Sequence, residues 1–254
     1  MAAPVTTPGR LTTVLLNQFD FTTQLDSLTR DSIVDQSDVT TFGNTSYVRA
    51  PHNLDAKVDF GGYFDGSTVS SFNRVVNSLL GTFGVVTCSR AGNAIGAAAD
   101  LISGIIGNNQ ADAKPGAFVT TKLAITVSNP TGATLDVPAM GFGKILLPTT
   151  VVANTILNTG SGVAFTVVDG TKTNTQIIVH SHLLVATGAV TVTLESSPDG
   201  TTWTNVGTLI SSSVPTATRV TFTTAIANNQ FRVKYQGATQ PYTLAVALAL
   251  GASF

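Results

Sequence analysis

Leu54-Asp-Ala-Lys-Val-Asp-Phe-Gly-Gly-Tyr-Phe64 alternates apolar and polar side chains along most of its length. Leu54, Ala56, Val58 and Phe60 fall on one face, and Asp55, Lys57 and Asp59 on the other. That is the pattern of a strand half-buried in a sheet. After Asp65 and Gly66 the period changes. From Ser67 to Leu80, the residues Val69, Phe72, Val75, Val76, Leu79 and Leu80 recur at helical spacing, which predicts one amphipathic helix. Its expected core face is Val69, Phe72, Val75, Val76 and Leu79. Ser67 or Thr68 can cap its first amides, and Gly81 can end it by tolerating positive φ. A strand feeding a single helix predicts a sheet with a helix laid on it.

The rest of the chain reads as strands. Toward the N-terminus, Leu11–Phe21 and Arg30–Phe42 are strand regions, and residues 1–10, with two prolines and a glycine, read as a flexible arm. Asn44–Pro51 reads as a turn or loop. Toward the C-terminus, Phe83–Cys88 and Phe118–Ser128 alternate. Beyond them Thr175–Thr187, Ala189–Ser196, Trp203–Ser211, Arg219–Thr224, Phe231–Tyr235 and Tyr242–Leu250 are strand-like runs separated by turn residues such as Pro198-Asp-Gly200. Residues 91–116, with their glycines and an Asn-Asn-Gln run, read as an extended loop whose Ala/Leu/Ile part could be strand or short helix. Residues 132–150, punctuated by Pro138, Pro148 and several glycines, read as a linker. The predicted fold class is mainly β: a β-sandwich or barrel over residues 11–131 with one flanking α-helix, then a second β-sandwich or barrel part over 151–254.

Composition agrees with that reading. Thirteen of the 14 acids are Asp and only Glu195 is Glu, so good helix formers are scarce. Charged residues make up 11% of the chain, well under the usual quarter, as expected of a protein that covers much of its surface with copies of itself. The charge is uneven: residues 1–80 carry eight acids and five bases (8 − 5, or −3), and residues 170–254 two acids and four bases (+2). Complementary ends suit head-to-tail contact; scatter in a sparsely charged chain is the bland alternative. No basic stripe for gripping nucleic acid occurs. No apolar run approaches the length that spans a bilayer, and the N-terminus lacks the basic and apolar regions of a signal peptide. The expectation is a protein held in the cytoplasm until assembly, without a membrane partner.

Residues that could carry chemistry are few. Cys88 is the single cysteine, which excludes an intrachain disulfide and a cysteine metal cluster; its apolar strand predicts a buried, inert thiol. His180 and His182 share one face of a strand and could hold a metal, but no third ligand is suggested. Pro198-Asp-Gly200 looks like a loop of carbohydrate modules, but an ordinary hairpin turn is the better reading. Phosphate-loop and nucleophile-elbow patterns are missing. Asp35, Asp38, Asp55 and Asp59 alternate along strands instead of clustering in a calcium loop, and fit a solvated face. Trp203 is expected to pack in the sandwich. No catalytic residue, cofactor or metal is predicted, and the chain is not expected to be an enzyme.

One order of features is more specific. An acidic strand, then Asp38-Val-Thr-Thr-Phe-Gly-Asn-Thr45, then a strand ending in Gly62-Tyr-Phe-Asp65, then a helix to Leu80-Gly81 resembles the opening of the tail tube (major tail) proteins of long-tailed, siphovirus-like bacteriophages. Val179-His-Ser-His-Leu-Leu-Val-Ala-Thr-Gly188, Thr191-Val-Thr-Leu-Glu-Ser-Ser-Pro-Asp-Gly200 and Tyr242-Thr-Leu-Ala-Val-Ala-Leu-Ala-Leu-Gly251 resemble the closing half of larger members. Residues 129–174 match nothing in that pattern. The resemblance implies a tail-tube-like subunit of the virion tail that closes into a ring, a hexamer or a pseudo-hexameric trimer, and stacks into a tube. Its partners are then itself, other tail proteins and double-stranded DNA passing through without specific binding. The extended 91–116 segment would reach a neighbouring subunit or ring through Gly96, Leu101, Ile105, Asn108 and Lys114. Asp35, Asp38, Asp55 and Asp59 become candidate lumen or surface acids. A capsid decoration protein or carbohydrate-binding β-sandwich module is the alternative class.

Overall fold

The computed structural model describes residues 13–38, 49–63, 71–113, 119–128, 140–153, 155–165, 177–222 and 228–250; for residues 30, 32–38, 49–56 and 63 it describes the backbone alone. The N-terminal arm 1–10 lies outside these. The protein is mainly β. In chain order the elements are β1 (Thr13–Leu16), β2 (Phe19–Asp20), β3 (Leu25–Asp38), β4 (Arg49–Tyr63), α1 (Phe72–Leu79), β5 (Phe83–Ser89), β6 (Ala98–Asp112), β7 (Thr120–Val127), β8 (Met140–Val152), β9 (Asn158–Thr159), β10 (Val163–Ala164), β11 (Ile177–Val185), β12 (Val190–Ser197), β13 (Thr204–Ser212), β14 (Thr216–Phe222), β15 (Gln230–Gly237) and β16 (Tyr242–Leu250). Among the described residues no helix is long and apolar enough to cross a membrane.

Two compact units are interleaved in sequence, and the division expected at 132–150 is corrected. One unit takes Met1–Thr23, Gly84–Ser103 and Asn129–Phe254; the other takes Gln24–Phe83 and Gly104–Ser128. β6 supplies its first residues to the larger unit and its last to the smaller.

In the larger unit two antiparallel sheets face each other. One runs β14–β11–β16–β8, the other β10–β15–β12–β13. Ile177, Val179, Leu183, Leu244, Val246 and Leu248 of the first close on Val190, Val192, Leu194, Phe231 and Val233 of the second, all buried. Each such side chain removed from water is worth about 1.5–3 kcal/mol before chain entropy is charged against it. β11 is buried from Ile177 to Leu183 because β14 and β16 flank it and both of its faces are covered. On its other face Ile178 joins Ala99, Leu101, Ile145, Ala247 and Ala249.

The expected linker contains β8, which pairs with β16 from Tyr242↔Val152 to Ala249↔Gly143. Its glycines and proline, read as linker signals, are strand features here. A Cβ on Gly143 would collide with the carbonyl oxygen of Leu248, so glycine lets the two backbones approach. Pro148 falls where the β8–β16 register shifts between Leu244 and Val246, a bulge that needs no ladder amide from it.

In the smaller unit β4 pairs with β3 and β7, and β7 pairs with the Gly104–Asp112 part of β6, all antiparallel. Val58, Phe60, Leu123, Ile125 and Ile106 are buried. Helix α1 lies on the face carrying Leu123 and Asn109, which are register partners, because Asn109 Nδ2 donates to Asn73 Oδ1 at 3.0 Å and Asn77 Oδ1 at 2.9 Å. The helix buries Phe72, Val75 and Val76. Leu79 is half-buried, and Val69 lies outside the described residues. Ser67 and Thr68, the expected caps, also lie outside them. Ser71 is the N-cap but makes no capping bond; the Phe72 amide instead donates to Gln24 Oε1 at 2.7 Å. Gly81 follows the helix at φ +76° and its amide donates to the Ile106 carbonyl at 2.8 Å.

In the expected extended loop 91–116 the Ala/Leu/Ile part, open between strand and short helix, is strand, and the loop reading is corrected where β6 continues through Asn108 to Asp112. Gly104 sits where a Cβ would strike the Thr126 carbonyl of β7, and Gly107 is the extra residue at a bulge between Ile106 and Asn108.

Candidate functional site

The registers of β3, β4, β7 and β6 place side chains in rows. Ser27, Gly61, Lys122 and Gln110 form one row; Thr29, Asp59, Ala124 and Asn108 form the next. Opposed residues of antiparallel strands share a face. That face is therefore polar, and it is the side of the sheet opposite Val58, Phe60, Leu123 and α1. Ser27, Thr29, Lys57, Asn108, Gln110 and Lys122 are exposed, and Asp59 is half-buried. These rows line a depression of ≈ 370 Å³. Lys57 Nζ lies 3.1 Å from Asp59 Oδ1, and Gln110 Nε2 donates to Asp112 Oδ1 at 3.1 Å. By register Asp31 and Asp112 belong to the same face. Among the described side chains two lysines stand against three aspartates, close to neutral and slightly acidic.

The expected site residues are dispersed. Asp59 stands on this face; the side chains of Asp35, Asp38 and Asp55 lie outside the described part. Of the expected intersubunit contacts, Asn108 is on the polar face and Ile105 is exposed. Leu101 is a correction: it is fully buried with Ala99, Ile145 and Ile178, and cannot reach another chain. Gly96 has φ +80° in the β5–β6 connection, and its amide donates to the Ile145 carbonyl at 2.8 Å. Lys114 lies outside the described residues. Sequence reading missed Ser27, Thr29, Gln110 and Lys122. The alternation of Phe118–Ser128 held the signal for Lys122, but which strands flank β7 is not written in any local pattern.

In the larger unit the titratable groups are engaged structurally. His180 and His182 are fully buried. His180 Nδ1 meets the Val86 carbonyl at 3.0 Å and His182 Nδ1 the Asn17 carbonyl at 2.7 Å. A carbonyl only accepts, so both Nδ1 atoms carry the proton. Thr87 Oγ1 then donates to His182 Nε2 at 2.8 Å. Burial holds the His180 pKa well below the ordinary range, with His182 and Arg219 adding to it. Burial lowers that of His182 to about 4, against the opposing Asn17 bond and Asp20 charge. Two neutral imidazoles with three of four nitrogens committed leave one lone pair, too few for a zinc site. No group of three or more His, Cys, Asp or Glu that could hold a metal occurs among the described residues. Cys88 is buried and burial pushes its thiol pKa far up, away from reactivity.

Asp199 accepts from the Thr201 and Thr202 amides at 2.8 Å each, which hold it well below the usual carboxylate range. With Gly200 at φ +75°, Pro198-Asp-Gly200 is a turn closed on itself. Trp203 is half-buried beneath Arg232, whose guanidinium carbon lies 4.2 Å from the ring centroid, and Arg232 Nε donates to Glu195 Oε2 at 2.7 Å. A second groove of ≈ 330 Å³ has its charges tied locally: Arg90 to Asp100 at 3.5 Å, and Lys144 to the Ala164 carbonyl at 2.7 Å.

No family model matches the chain, and no curated protein does. Among solved structures it is similar to the Dit protein (gp 19.1) of SPP1, described as a paradigm of the hub adsorption apparatus in phages infecting Gram-positive bacteria. The identity is 13% over 93% of this chain and 98% of that one, with a TM-score of 0.34. A likeness at that level fixes neither fold nor role.

Proposed function

We propose that this chain is a structural, non-enzymatic subunit of a bacteriophage tail, which assembles into rings stacked as a tube around a channel for double-stranded DNA. The observation that carries the reading is the polar sheet face of the smaller unit. It belongs to the strand–strand–helix segment on which the tail tube resemblance rests, and it is backed by α1. A conduit must touch DNA without holding it. Each phosphate neutralised by a base adds salt-dependent affinity, so a wall of lysines would retain the genome. Lys57 is tied to Asp59, and the Ser, Thr, Asn and Gln around them leave a neutral, hydrated surface. The larger unit serves as a stable sandwich without a role in chemistry. Localisation in the virion tail follows, after synthesis in the host cytoplasm, with other tail proteins as further partners.

Negative-stain electron microscopy of the purified chain tests the proposal. Rings or tubes with a central channel are expected. Discrete monomers at every concentration would overturn it and favour a decoration or carbohydrate-binding module.

A further inference from the structure

β3 and β4 are longer than the sheet that holds them. They pair from Leu25↔Gly62 to Asp38↔Arg49, but β7 covers β4 only over Lys57–Tyr63. Beyond that point residues 32–38 and 49–56 make a ribbon of two strands. Among the described residues β3 pairs with β4 alone, and these β4 residues have no partner on their far side. At about 3.3 Å per residue the ribbon extends roughly 25 Å past its last three-stranded row. A two-stranded ribbon is marginal in water, and both of its edges display unpaired amides and carbonyls. Its sequence carries Asp35, Asp38 and Asp55 against Arg49, a net −2.

The chain holds an edge of opposite character. Among the described residues β14 ends the β14–β11–β16–β8 order and pairs with β11 through consecutive partners from Ile177↔Phe222 to Leu183↔Thr216, without a register shift. Within Thr216–Phe222 there is no Asp, Glu, Lys or Pro, and the one charge is Arg219. Edges exposed in a monomer are normally guarded by lysine, proline or a bulge. β14 has none of these, and it lies in the 170–254 stretch that carries +2.

We infer that the β3–β4 ribbon is an assembly arm that adds to the β14 edge of another copy of this chain. The inference deepens the self-assembly reading above and rests on it. Strand addition satisfies both unpaired edges at once, and the acidic arm against the less acidic edge sets the direction of contact. Because donor and acceptor surfaces differ, the interface is heterologous, and repetition closes a ring or continues as a filament.

The test uses the full chain. Wild type should give higher-order species by light scattering, whereas an Asp35→Lys/Asp38→Lys variant should be monomeric with an unchanged melting curve. Because Cys88 is buried, introduced thiols report alone. Protein bearing Ser37→Cys, mixed with protein bearing Ala217→Cys or Thr221→Cys, should form a cross-linked dimer under a short bis-maleimide that neither gives by itself. If wild type assembles but the charge-reversed variant assembles equally, or no mixture cross-links, the arm is wrong and the tube reading stands. A wild type monomeric at all concentrations overturns both.

Discussion

Thr87 is the hinge of a buried polar cluster with His180 and His182. Its hydroxyl donates to His182 and lies 3.4 Å from His180 Nδ1, so one side chain sets the position of two neutral imidazoles. Thr87→Val keeps the shape but leaves His182 Nε2 buried without a donor, and should cost about 1–3 kcal/mol in urea unfolding at neutral pH. The same cluster sets an acid limit. Unfolded histidine titrates near 6.5 and folded His182 near 4, so between these values the unfolded chain binds the extra proton. Stability is therefore complete above about pH 6.5 and falls as the pH drops toward 4. The loss from His182 is about 3 kcal/mol at roughly 1.4 kcal/mol per pH unit, with His180 acting in the same direction. Unfolding midpoints at pH 7.5, 6 and 5 measure it. A His182→Gln variant should flatten the slope in this window, and a wild-type profile already flat there would refute the cluster as its source. The sequence put both histidines on one strand face correctly, but the groups that hold them, Asn17, Val86 and Thr87, come from the turn after β1 and from β5, which no spacing reveals.

At the scale of elements, legibility follows the period of the pattern. The helix face Phe72, Val75 and Val76 and the strand face Val58 and Phe60 are buried as their periodicities require. The six C-terminal runs are strands, short apolar or alternating runs that are each bounded by turn residues. β8 and the continuation of β6 past its Ala/Leu/Ile part were not legible, since glycine and proline carry two meanings. Gly104 and Gly143 permit close strand approach, and Pro148 sits at a bulge, yet locally all three spell loop. The link between helix and sheet was equally hidden. Asn109 donates to Asn73 and Asn77 and accepts from Thr121 Oγ1 at 2.9 Å, so a polar side chain at an exposed-looking position ties α1 to β6 and β7. Asn109→Ala should lower stability by about 1–3 kcal/mol, whereas Arg74→Ala, on the exposed side of α1, should change it by less than about 0.5 kcal/mol. Phe72→Asp buries a carboxylate without a cation and should prevent soluble expression. If it expresses and melts like wild type, the packing of α1 is other than described.

At the scale of the whole molecule the decisive quantity is the balance of charge on the polar face. Among the described side chains Lys57, Lys122, Asp31, Asp59 and Asp112 give it a net −1, and Lys57 is paired. Asp59→Lys turns that balance to +1 and releases Lys57 from its partner. The substitution is at a half-buried surface position, so folding and assembly should survive it. Electrostatics predicts a specific new property. Assembled wild type should show no measurable affinity for duplex DNA at physiological salt, because its acids repel phosphate as much as its lysines attract it. Assembled Asp59→Lys should bind, and each additional phosphate contact should steepen the fall of log K with log salt by roughly 0.9. Asp59→Asn, which removes one acid without adding a base, should fall between them. Fluorescence anisotropy with a labelled duplex, run from low to physiological salt, reads all three. Two outcomes bear on the role of the face. If Asp59→Lys assembles but binds no better than wild type, the face does not line a channel that DNA can enter. If wild type already binds tightly at physiological salt, the chain is a DNA-holding protein and the passive conduit fails.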